Sequence, residues 1–66
     1  MKFAGKLKEL RLSNNLTQKD LAMKLNVHQS NLSDWENNIS RRPEYENLML
    51  LADIFDISLD ELLGRD

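Results

Sequence analysis

Apolar residues recur along this chain at helical spacing, and short polar breaks divide them into five segments. Phe3, Leu7 and Leu10 fall at i, i+4 and i+7, a stripe along one helix face that predicts a first helix over residues 2–14, ended by Ser13, Asn14 and Asn15. Thr17 follows as a hydroxyl N-cap, with Asp20 three residues on where a carboxylate suits the helix dipole, and the second helix runs to Leu25. Asn26 sits where that pattern breaks, because asparagine tolerates the left-handed backbone a tight turn demands, and Val27 then re-enters the core. A third helix over residues 28–37 turns Leu32 and Trp35 inward and leaves Gln29, Ser30, Ser33 and Asp34 on other faces. Pro43 suits the first position of a fourth helix ending near Phe55. Ser58 and Glu61 have capping-box spacing for a short fifth helix, which Gly64 closes in the left-handed conformation. No stretch sustains the alternation of a strand, so the predicted fold class is all-α.

The segment from Gln18 to Glu36 is the most specific part of the pattern. Leu21, Leu25, Val27, Leu32 and Trp35 supply apolar contacts, small Ala22 stands where two backbones must approach, and Asn26 is the turn former between them. Two helices crossing steeply over a turn of three or four residues require all of these together, and that arrangement is a helix-turn-helix.

Composition narrows the function classes. Sixty-six residues predict one domain, close to the size below which a single core struggles against chain entropy. With no cysteine and one histidine, His28, thiol nucleophiles, disulfides and the usual metal sites drop out, and no glycine-rich phosphate loop is present. No enzyme, no cofactor and no small-molecule substrate are expected. The longest apolar run, Leu48 to Ala52, is far too short to span a membrane, and no signal-peptide segment opens the chain, so a cytoplasmic location is expected.

The net charge of −2 argues at first against nucleic acid, yet its distribution does not. Residues 1–42 carry eight basic against four acidic side chains, a net of +4, whereas residues 43–66 carry one against seven, a net of −6. Two halves of opposite sign give an oriented molecule.

The stretches Leu7-Lys-Glu-Leu-Arg11, Leu16-Thr-Gln-Lys-Asp-Leu-Ala22, Leu25-Asn-Val27, Trp35-Glu36-Asn37 and Ser58-Leu-Asp-Glu-Leu-Leu-Gly64 resemble the Cro/CI-type repressors, also called XRE-type regulators. The resemblance covers nearly the whole chain, residues 1–66, and implies a five-helix lambda-repressor-like DNA-binding domain. It also implies a homodimer on a palindromic site in double-stranded DNA, repressing transcription. Residue by residue, it implies phosphate contacts from Gln18, Lys19, Arg11, Asn37, Ser40, Arg41 and Arg42. Base contacts fall to Gln29, Ser30 and Asp34, with Ser33 and His28 as lesser candidates. Arg11 and Glu36 are implied to pair, fixing the recognition helix to the first helix. A glutamine amide both donates and accepts, which suits adenine, whereas a carboxylate only accepts, which suits cytosine N4. Three positions depart from the family pattern: His28 replaces a short hydroxyl cap, Asn38 replaces a common glycine, and Glu44 stands where some relatives have a basic residue. A protein-interaction module of the same fold, such as an antitoxin or partner-binding subunit using its acidic half, is the alternative reading.

Overall fold

The computed structural model describes residues 3–39 and 42–64 and contains five helices: α1 (Phe3–Ser13), α2 (Gln18–Leu25), α3 (Gln29–Glu36), α4 (Tyr45–Phe55) and α5 (Leu59–Leu62). Among the described residues there is no strand. Helix α1 touches α3 and α5, α2 touches α3 and α4, and α5 closes on α4, so the helices surround one core. That core is built from Phe3, Leu7, Leu21, Leu25, Leu32, Trp35, Leu51, Phe55 and Leu62, with Ala22 and Ala52 where backbones come close. Every one of them sits at the helical spacing that brings it to a single face.

One device ends four of the helices. Asn15, Asn26, Asn38 and Asp56 all take the left-handed conformation, with φ between 54° and 58°. The residue after each then donates its amide hydrogen five residues back: Leu16 to Arg11, Val27 to Ala22, Ile39 to Asp34 and Ile57 to Ala52, all at 3.0–3.1 Å. This closure satisfies carbonyls that a helix end leaves bare and places an apolar side chain directly after the turn. Leu16, Val27 and Ile57 pack against the core in that position. Ile39, at the end of α3, is 72% exposed instead. Gly64, at φ 72°, serves α5 in the same conformation.

The helix starts differ more from expectation. Thr17 and Asp20 form a complete capping box, the threonine hydroxyl accepting from the Asp20 amide at 3.0 Å and the Asp20 carboxylate accepting from the Thr17 amide at 3.1 Å. At α5 the box is half formed: Ser58 accepts from the Glu61 amide, while the Glu61 carboxylate lies 3.9 Å from Lys6 on α1. Helix α4 begins at Tyr45, two residues after Pro43, because Glu44 is still extended at φ −64°, ψ 162° and is itself the N-cap. Pro43 is buried and so anchors the chain before the helix.

Candidate nucleic-acid interface

Helices α2 and α3 are joined by three residues, Asn26, Val27 and His28, with Asn26 supplying the left-handed step. Helix α3 buries Leu32, Trp35 and Glu36, and at about 100° per residue these three define one side. Ser30 and Asp34 fall opposite that side, flanked by Ser33 and Asn31, while Gln29 lies in the first turn near the angle of Glu36. Gln29 and Ser30 are exposed, and Ser33 and Asp34 are half-buried. The outward face of α3 is therefore a short polar ridge with no large apolar side chain on it. Trp35, by contrast, is 9% exposed and belongs to the core.

His28 is the N-cap of α3 and makes no side-chain capping bond. Its exposed ring stands beside Gln29 at the start of the ridge, and the first amides of α3 have no side-chain partner from it.

The ridge is tied to the rest of the molecule at its far end. Glu36 is the last residue of α3, and its carboxylate accepts from Arg11 Nε at 2.6 Å and Arg11 Nη2 at 3.0 Å, a two-pronged pair between side chains 2% and 10% exposed. Arg11 Nη1 donates to the Leu16 carbonyl at 2.9 Å, and Gln18 Nε2 donates to Glu36 Oε1 at 3.2 Å. One buried ion pair with Gln18 thus links α1, the loop after it, the start of α2 and the end of α3. No buried side-chain polar atom among the described residues lacks a partner. The bond to Glu36 raises the Arg11 pKa above its already high ordinary value, against desolvation, which works the other way. Two of the five guanidinium hydrogens have no bond of this set.

Lys19 is exposed at the start of α2. The same helix start carries Asp20, whose carboxyl is held below the usual carboxylate range, first by the Thr17 backbone amide and then by the Thr17 hydroxyl. Asn37, directly after α3, is exposed, but its side-chain nitrogen donates to the Ser33 carbonyl at 2.8 Å and the Ser33 hydroxyl at 3.3 Å. That nitrogen is engaged in closing the helix. Nothing in the sequence pattern distinguishes that local use from a phosphate contact. Arg42 is exposed, whereas Ser40 and Arg41 lie outside the described residues.

Among the described residues no group of three or more His, Asp or Glu side chains could hold a metal, and no helix is long and apolar enough to cross a membrane. The geometry available is a polar helix ridge, an internal ion pair behind it, and exposed cations at Lys19 and Arg42.

Comparison with known proteins places this geometry. The helix-turn-helix family model HTH_3 matches residues 7–62. The chain is 39% identical over 66 residues to the HTH-type transcriptional regulator ImmR of Bacillus subtilis (strain 168), covering all of this chain and 51% of the relative. It is 40% identical over 66 residues to the HTH-type transcriptional activator BcrR of Enterococcus faecalis, covering all of this chain and 32% of that protein. It is also 41% identical over 61 residues to the HTH-type transcriptional regulator AnsR of Bacillus subtilis (strain 168), covering 92% of this chain and 52% of the relative. The chain thus spans about half the length, or less, of these relatives. With the model match extending across α2, the turn and α3, the chain belongs to the XRE-type helix-turn-helix family of transcriptional regulators.

Proposed function

We propose that the chain binds a specific site in double-stranded DNA by laying α3 in the major groove, and that it does so as a homodimer on a palindromic operator, repressing transcription by occluding polymerase. The observation that carries this reading is the exposed polar ridge of α3 held from behind by the buried Arg11–Glu36 pair. A reading helix must be rigid relative to the phosphate-gripping elements, because base-edge contacts discriminate only if their register is fixed.

In this reading Gln29, Ser30 and Asp34 face base edges, with Ser33 and His28 at the margins. Gln29 pairs two-pronged with adenine N6 and N7, and Asp34 accepts from cytosine N4 while disfavouring close phosphates. Gln18, Lys19, Ser40, Arg41 and Arg42 contact phosphate. Arg11 contributes through its two remaining guanidinium hydrogens. Asn37, whose side-chain nitrogen also closes α3, is a further phosphate contact in this reading. The two-fold partner repeats the arrangement about 34 Å along the duplex, one DNA turn away.

Titrating a fluorescent duplex that carries the preferred site at increasing salt tests this. Affinity is expected to fall steeply and linearly on logarithmic axes, because phosphate contacts release counterions. A salt-independent affinity would refute it and favour a protein-binding module.

A further inference from the structure

Helix α4 is covered on one side only, and its outward side carries both apolar and acidic residues. Leu51, Ala52 and Phe55 are buried, and Leu48 and Ile54 pack against the core. On the other side Tyr45 is 65%, Met49 42% and Leu50 39% exposed. At about 100° per residue the outward residues follow in the order Tyr45, Met49, Asp53, Glu46, Leu50 around the axis. Two acidic side chains therefore run down the middle of the face, with apolar side chains along each edge. Both acids are exposed, and every charged side chain described from residue 44 to 64 is acidic.

We propose that this face of α4 docks a basic amphipathic helix of a partner protein. Tyr45, Met49 and Leu50 would grip its apolar side chains, and two arginines or lysines seven residues apart would meet Glu46 and Asp53, which are themselves seven apart, or about 10 Å along the helix. The charge pattern selects this occupant over the others. Phosphate is repelled. A second copy packed antiparallel about a two-fold axis sets Glu46 against the other Asp53, a like-charge contact at the centre of the interface. The face shares no residue with the α3 ridge.

The probe is a synthetic helical peptide of about four turns, with leucines at i and i+4 and arginines seven apart, and a twin carrying glutamates for the arginines. Titrated into the isotopically labelled chain, the arginine peptide is expected to shift the amide signals of residues 45–54, to leave those of α3 in place, and to bind while its twin does not. The Glu46→Lys/Asp53→Lys variant is expected to bind it about tenfold more weakly or worse. Should that variant lose its helical spectrum, Glu46→Gln/Asp53→Asn carries the same expectation with the side-chain shapes kept. Absence of binding, equal binding of both peptides, shifts centred on α5, or undiminished affinity in the double variant overturns the proposal. So would α4 shifts that depend on protein concentration without peptide and vanish in Met49→Lys, which would give the face to a second copy.

Discussion

Replacing Glu36 by alanine should nearly unfold the domain, and the size of the effect follows from what surrounds the carboxylate. The Glu36 side chain is 2% exposed and accepts three hydrogen bonds, two from Arg11 and one from Gln18. Gln18 is half-buried and regains water, so its loss is small. Arg11 has no such recourse: its side chain is 10% exposed, and without Glu36 its charge stays in the interior with only the Leu16 carbonyl as partner. Removing one member of a buried pair costs about 3 to 5 kcal/mol. A chain of 66 residues has roughly 3 to 10 kcal/mol of total stability, so little is left. Converting both members to apolar side chains, Arg11→Met with Glu36→Leu, removes the stranded charge as well as the pair and is expected to be within about 2 kcal/mol of the parent, or more stable. Urea unfolding followed by circular dichroism gives the three stabilities and the coupling energy. A Glu36→Ala loss below about 1 kcal/mol, or a double variant no better than the single, would mean that water reaches the pair and that it does not hold α3.

Other predictions concern the reading surface and the caps. Gln29→Ala should cost about 1 to 3 kcal/mol at one base pair and relax the preference there, measured by competition between operator variants; equal losses on specific and random DNA would remove Gln29 from the readers. Arg42→Ala should weaken binding to all sequences alike and reduce the salt slope by about one or less. Asn26→Ala should destabilise by about 1 kcal/mol, because alanine tolerates the left-handed backbone at φ 58° less well than asparagine, while Asn26→Gly stays near neutral, and thermal unfolding of the two separates backbone strain from lost side-chain contacts. Asp20 has a folded pKa below its ordinary 3.8, so the stability it adds is present above that value and is lost as pH falls through the folded one; the gap between the parent and Asp20→Asn should therefore close on acidification, and a gap that widens would reverse the assignment.

Much of this architecture is readable in the chain because its signals are local. Helical periodicity gives the core, and Thr17, Asn26, Ser58 and Gly64 act within a few residues of their own positions. The family resemblance adds what no local signal carries, the meeting of Arg11 and Glu36 across 25 residues of sequence. Legibility fails where a residue has two acceptable uses. Pro43 suits a first helical position, yet burial of its ring leaves Glu44 extended and delays α4 to Tyr45. Glu61 suits a capping box, yet its carboxylate stands 3.9 Å from Lys6 on α1. Asp56 ends α4 as Asn26 ends α2, and the signal for it was present: an Asx residue followed by a β-branched apolar one, Asn26-Val27 and Asp56-Ile57.

Selection of bound sequences from a pool of random duplexes tests most directly whether the outer side of α3 reads bases. The expected product is two related half-sites about one helical turn apart, with the parent and Gln29→Ala differing at a single symmetric position. Recovery of sequences with no common motif, or of the same motif regardless of Gln29, Ser30 and Asp34, would contradict it.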